Sequence, residues 1–101
     1  MQPFDANDVE TAAKFYRSIT DENARRLLDN MIDHPDEQRT AADLQAQLGF
    51  AEHRDVARAT YLLGNLAAEL GRSRPWGEGQ MGYRMSKEMA DLFQAARSQP
   101  G

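Results

Sequence analysis

The sequence predicts a mainly α-helical protein with one small β-hairpin. Apolar residues recur at helical spacing in five segments of the chain. Between residues 72 and 85 this period disappears and glycines separate short runs, which is typical of two strands around a turn. The 101 residues are 41% hydrophobic and 28% charged, as in an ordinary globular protein. We therefore expect residues 1–101 to form a single domain.

Two helices are predicted near the N-terminus, over about residues 8–18 and 21–34. Asp8 can cap the first helix, and Thr20 is placed to cap the second. Pro35 ends the second helix, because the residue before a proline is pushed out of helical geometry. The apolar stripe of the first helix consists of Val9, Ala12, Tyr16 and Ile19.

A short helix over about residues 41–48 has the clearest local signal. Thr40 is an N-cap with Asp43 three residues further on, which is an aspartate variant of the capping box. Gly49 can adopt the left-handed conformation that ends a helix. A helix of this length is not stable alone, so packing against its neighbours must hold it.

A longer helix is predicted over about residues 52–70, ending before Gly71. A glycine inside a helix costs about 1 kcal/mol relative to alanine, so Gly64 indicates the close approach of another element or a bend. The buried stripe of this helix consists of Val56, Ala59, Leu63, Leu66, Ala67 and Leu70.

A hairpin over about residues 72–85 and a last helix over about residues 87–97 complete the predicted elements. In the hairpin, Met81, Tyr83 and Met85 alternate onto one face. Ser86 can cap the last helix.

A set of residues between about 20 and 85 follows a pattern found in a known superfamily. Its members are Thr40, Asp43, Leu44, Leu48, Gly49, Val56, Leu63, Gly71 and Arg72. With the order short helix, tight turn, long helix and hairpin, they resemble the winged helix-turn-helix DNA-binding superfamily, with extra N- and C-terminal helices. That resemblance implies a long helix in the DNA major groove and a hairpin on the flanking backbone. From Gly71 to Arg97 the chain is also similar to an uncharacterised bacterial family of winged-helix-like proteins, which implies no activity.

Polar side chains lie opposite the buried stripe of the long helix, and the hairpin adds three arginines. Arginine can bind guanine and asparagine can bind adenine with two hydrogen bonds each, while tyrosine can reach a phosphate. The alternative is an ordinary solvated surface, since exposed helix faces and edge hairpins are commonly polar. The candidate DNA-binding residues are His53, Arg54, Arg58, Tyr61, Asn65, Arg72, Arg74 and Arg84.

The charges of the chain are unevenly distributed. The net charge is −4, but residues 1–39 hold nine acidic and five basic residues, whereas residues 53–87 hold six basic and three acidic ones. Local charge decides what a surface attracts within a screening length of about 8 to 10 Å. The second region is therefore compatible with a nucleic-acid partner.

Several classes of function are not expected. The absence of cysteine excludes disulfides, thiolate zinc sites and cysteine nucleophiles. We find no motif for a catalytic site, a cofactor or a metal, and expect no enzyme. The longest uncharged stretch, residues 59–68, is about half of what a membrane-spanning helix needs. With no signal peptide pattern at the N-terminus, we expect a cytoplasmic protein that does not bind membranes.

The leading hypothesis is a small transcriptional regulator that binds double-stranded DNA. The long helix would read the major groove and the hairpin would contact phosphates. One such domain covers few base pairs, so we expect a homodimer whose contact is supplied by the first or the last helix. The alternative is a protein-interaction module that binds a protein partner through the acidic helices of residues 1–39.

Overall fold

The computed structural model describes residues 1–100, which form five helices and a two-stranded antiparallel hairpin. The mainly helical fold class with one small hairpin is therefore confirmed. The elements are α1 (Val9–Ser18), α2 (Glu22–Asp33), α3 (Ala41–Leu48), α4 (Arg54–Glu69), β1 (Gly77–Gly79), β2 (Gly82–Arg84) and α5 (Lys87–Arg97).

Side-chain caps determine where most helices begin. Asp8 caps α1 and Ser86 caps α5, as predicted. Both hydrogen bonds of the predicted capping box are present at α3, where Thr40 and Asp43 each accept from the other's backbone N–H at 3.1 and 3.0 Å. The prediction of Thr20 as the cap of α2 is wrong. The carboxylate of Asp21 accepts from the N–H of Ala24 instead, so the helix begins one residue later than Thr20 would allow.

Two elements of the sequence-based prediction are too long. Helix α4 begins at Arg54 rather than residue 52, and the hairpin spans residues 77–84 rather than 72–85. Arg72 is extended, but its backbone forms an isolated parallel bridge with Gln2 and not with β2. Met81 lies in the turn and is 71% exposed, whereas Met85 is buried, so the prediction that they share one face of the hairpin is wrong.

A third segment pairs with the hairpin. Arg39, between α2 and α3, forms an isolated antiparallel bridge with Tyr83 of β2. The Arg39 N–H donates to the Tyr83 carbonyl at 3.0 Å, and the Tyr83 N–H donates to the Arg39 carbonyl at 2.7 Å. In a strand, both backbone groups of one residue point to the same side, so Arg39 lies on the edge of β2 away from β1. This bridge attaches the hairpin to the start of α3.

The helices pack in two groups around one core. Helices α2, α3 and α4 contact one another, while α1 packs mainly on α5. The rings of Phe4, Phe15 and Phe93 meet edge to face, with centroids 5.1 to 5.6 Å apart. These contacts join the N-terminal segment to α1 and α5. The predicted stripe of α1 is rotated, because Phe15 is fully buried whereas Val9 and Tyr16 are half-buried. Among residues 1–100, no helix has the length and apolar character needed to cross a bilayer.

Candidate nucleic-acid interface

One side of α4 faces solvent, and the predicted polar face lies on it. Arg54, Arg58, Tyr61 and Asn65 are all exposed, and Tyr61 is 61% exposed. On the opposite side, Val56, Ala59, Leu63 and Ala67 are buried against α2 and α3. The helical period of α4 therefore separates a core side from an accessible polar side, as the sequence predicts.

Two acids, Glu52 just before α4 and Asp55 in its first turn, lie beside the first arginine of the helix. Arg54 Nε lies 2.6 Å from Glu52 Oε2, although the Arg54 side chain is 78% exposed. The carboxylate of Asp55 accepts from the backbone N–H of Glu52 at 2.9 Å, which fixes the turn before the helix. His53 is exposed and makes no capping hydrogen bond through its side chain. The start of the candidate face is therefore close to neutral rather than strongly cationic.

Gly64 marks the close approach of another element, which is one of the two explanations that the sequence predicts. The guanidinium of Arg74 lies directly over Gly64, so a Cβ atom placed there would be 2.6 Å from Arg74 Nε. Gly64 adjoins Asn65 and lies one turn beyond Tyr61 on α4. This contact places the segment before β1 beside the polar side of α4.

A cluster at the base of the hairpin holds Arg74 in place. Glu78 Oε1 accepts from Arg74 Nη1 at 2.5 Å and from Trp76 Nε1 at 2.8 Å. The guanidinium of Arg74 also lies over the Trp76 ring, 5.9 Å from its centroid. Arg74 is thus on the loop between α4 and β1, and not on a strand as predicted.

The remaining two predicted phosphate-binding arginines also interact within the chain. Arg84 lies on β2 as predicted, where its Nη2 is 2.9 Å from Asp36 Oδ1 and its Nε donates to the Asp36 carbonyl at 3.2 Å. Arg72 is half-buried and donates through Nη1 to the Leu70 carbonyl at 3.4 Å. The sequence predicted neither the ion pair between Arg84 and Asp36 nor the backbone bridge between Arg72 and Gln2.

The structure therefore divides the predicted site into two parts. Arg58, Tyr61 and Asn65 are accessible, and the ion pairs within residues 1–100 include none to Arg58. Arg54, Arg74 and Arg84 each have a carboxylate partner. The sequence-based prediction did not include their partners Glu52, Glu78 and Asp36. The four-residue spacing of Arg74 and Glu78 could have indicated one pair, but Asp36 and Arg84 are too distant in sequence to give a local signal.

Arg39 was also missed as a structural residue. It is only 5% exposed, and its Nη1 donates to the side-chain oxygens of Asn30 and Gln47. Its Nε is buried with no partner among residues 1–100. Burial lowers the pKa of Arg39 below its usual value, while the nearby acids Glu37 and Asp43 oppose this effect. Arg39 therefore joins α2, α3 and β2 and is not available to a ligand.

The structure also bears on small-ligand and metal sites. A groove of about 640 Å³ runs along the hairpin and is bordered by Phe4, Trp76, Met81 and Met89. Among residues 1–100, no three histidine, aspartate or glutamate side chains lie close enough together to hold a metal ion.

Comparison with known proteins places most of the chain in one family. Residues 9–99 match a family of unknown function, DUF6416, and this span runs from the start of α1 to just beyond α5. No curated protein and no solved structure matches the chain. The family description assigns no activity, partner or site residue to its members. The chain therefore belongs to this family of unknown function, DUF6416.

Proposed function

We propose that this protein binds double-stranded DNA through the polar side of α4 and acts as a small transcriptional regulator. The observation that carries the proposal is the exposure of Arg58, Tyr61 and Asn65 on one side of the second helix of a helix-turn-helix pair. An α-helix fits the major groove, and these side chains can bind guanine, phosphate and adenine respectively.

The arrangement of elements supports membership of the winged helix-turn-helix superfamily, which we also propose. Helices α2, α3 and α4 contact one another, and the hairpin is the next element after α4. Arg39 supplies a short extended segment between α2 and α3 that pairs with β2. A cytoplasmic location accompanies this proposal, because a regulator must reach DNA.

The alternative of a protein-interaction module with an acidic surface has less support. Asp8 and Asp21 cap helices, so their carboxylates are already occupied. Arg97 of α5 binds Asp29 at 3.2 Å and Asp33 at 2.8 Å on α2. Arg84 binds Asp36. Many of the acids in residues 1–39 therefore already have a partner within the chain.

Binding to a mixed-sequence duplex, measured by fluorescence anisotropy, tests the proposal. A protein that contacts about four phosphates should lose affinity about a hundredfold between about 50 and 200 mM salt, because counterions are released on binding. Arg58→Glu reverses the charge at an exposed position of α4 that has no ion pair among residues 1–100, and should weaken binding at least about tenfold.

Arg17→Glu is the matched control, because Arg17 is an exposed arginine on α1 and the charge change is the same. Both variants should keep the parent's thermal unfolding midpoint to within a few degrees. If Arg58→Glu binds the duplex as tightly as Arg17→Glu does, the polar side of α4 is not the DNA-binding surface.

A further inference from the structure

We propose that three carboxylates of this protein, Glu52, Glu78 and Asp36, compete with DNA phosphate for its arginines and so lower its affinity for DNA of arbitrary sequence. The inference rests on the proposed DNA-binding function and identifies residues that determine its specificity. It follows from three ion pairs at different places in the fold. Arg74 and Arg84, candidates for contact with phosphate, and Arg54 at the first turn of α4, which we assign to phosphate rather than to a base, are each bound by an acid of the same chain.

The pair at the start of α4 is the most accessible. Glu52 Oε2 lies 2.6 Å from Arg54 Nε, and both side chains are more than half exposed. The backbone of Glu52 is held by the Asp55 carboxylate at 2.9 Å, so its side chain emerges from a fixed position. A carboxylate therefore lies beside Arg54, which is about one turn of helix before Arg58.

In the pair at the base of the hairpin, the carboxylate has a second donor. Glu78 Oε1 accepts from both Arg74 and Trp76, at 2.5 and 2.8 Å, while the Arg74 guanidinium lies near both the Trp76 ring and Gly64. Trp76 is buried, so it orients the carboxylate as well as the guanidinium. The structure thus keeps a negative charge beside Arg74 close to α4.

The third pair fastens β2 to the loop after α2. Asp36 Oδ1 accepts from Arg84 Nη2 at 2.9 Å and from the backbone N–H of Lys87 at 3.3 Å. Asp36 has a positive φ of 64° and its N–H donates to the Met85 carbonyl at 2.7 Å. This carboxylate therefore has a structural role in addition to its contact with Arg84.

Exposed ion pairs of this kind open readily, because each stabilises a protein by only about 0 to 1 kcal/mol. A phosphate oxygen and a carboxylate oxygen accept the same charge-assisted hydrogen bonds from a guanidinium. When phosphate replaces the carboxylate, the displaced negative charge remains within a screening length of about 8 to 10 Å of the DNA backbone. Phosphate contacts supply nearly all non-specific affinity, whereas base contacts from Arg58 and Asn65 are not masked in this way. The acids therefore favour sequence-dependent over sequence-independent binding.

The test compares Glu52→Gln and Glu78→Gln with the parent protein on a mixed-sequence duplex of about 20 base pairs. Glutamine has the shape of glutamate without its charge. Each substitution should tighten binding about threefold to tenfold at about 50 mM salt. Each should also steepen the dependence of log K on log salt by up to about 0.9, which is the slope contributed by one additional phosphate contact. Asp36 is left unchanged because its backbone conformation and loop contacts are structural.

Glu10→Gln on α1 is the control, since Glu10 is exposed and the charge change is identical. If Glu52→Gln and Glu78→Gln bind no more tightly than Glu10→Gln, while Arg58→Glu still weakens binding, the competition is refuted and DNA binding by α4 stands. If the three glutamine variants and the parent all fail to bind the duplex at low salt, both proposals are overturned.

Discussion

Gly82 is a single residue on which the attachment of the hairpin depends. Its φ of +108° is unfavourable for any residue with a side chain, and an added Cβ would be 2.1 Å from the carbonyl oxygen of Arg39. That oxygen belongs to the backbone that bridges to Tyr83, so it cannot move without breaking the pairing. Gly82→Ala should lower the free energy of unfolding by at least about 2 kcal/mol.

Gly79→Ala is the matched comparison, because it makes the same change in the paired residue of β1, where a Cβ would meet nothing within 4 Å. Its effect should stay within about 0.5 kcal/mol. Urea unfolding followed by circular dichroism measures both variants. Equal stability of the two would show that the contact between Gly82 and Arg39 does not constrain the fold.

Gly64 and Arg39 show how far single positions can be predicted. Gly64 could be identified as a site of close approach, because a glycine in the middle of a helix has a local cost that requires a reason. Arg39 could not be identified as buried. Arginine is rarely found inside proteins, and the amide oxygens that receive Arg39 come from Asn30 on α2 and Gln47 on α3.

At the level of elements, α3 depends on its cap more than the longer helices do. It has only 8 residues, and the mutual hydrogen bonds of Thr40 and Asp43 satisfy two of its free backbone groups. Thr40→Ala should therefore lower the free energy of unfolding by about 1 kcal/mol. Because α3 packs on α4, the substitution should also slightly weaken the DNA binding that we propose.

Thr20→Ala controls for the loss of a threonine side chain. Thr20 is exposed, and the cap of α2 is Asp21, so this substitution should change stability by less than about 0.5 kcal/mol. Thermal unfolding of the two variants measures the difference. A Thr20→Ala protein that is less stable than Thr40→Ala would contradict the assignment of both caps.

The helices could be predicted well and the hairpin only in part, for a physical reason. Caps and apolar periodicity are local, so α3 and α5 have the predicted bounds. The extended backbone at Arg72 also follows the sequence pattern, but a strand is defined by its partner, and the partner of Arg72 is Gln2 near the other end of the chain. The same reasoning explains the ion pairs. Nothing near Arg84 in the sequence indicates that Asp36 will lie beside it.

At the scale of the whole molecule, the first and last helices, α1 and α5, bury their apolar sides within the same chain. The apolar sides of α1 and α5 pack on each other around Phe15 and Phe93. Their outward residues are polar or small, and include Glu10, Lys14, Arg17, Glu88, Asp91, Gln94 and Ala95. Neither helix therefore presents the apolar surface that a stable dimer of free chains needs.

The homodimer remains a prediction, and we expect it to form on DNA rather than in free solution. The protein alone should sediment as a monomer at micromolar concentration. Two chains should assemble on a duplex that carries two binding sites about 10 base pairs apart, centre to centre. Analytical ultracentrifugation with and without the duplex measures both states. A stable dimer in the absence of DNA would contradict this expectation.

The position of the one tryptophan in the sequence gives the protein its own optical signal. Trp76 is buried at the base of the hairpin, where its indole N–H is bound by Glu78 and its ring lies under Arg74. Indole emission depends on the polarity and the charges around the ring. A change in the partner of Arg74 would therefore alter the colour or intensity of this emission, so events at the hairpin can be followed by intrinsic fluorescence without attaching a dye.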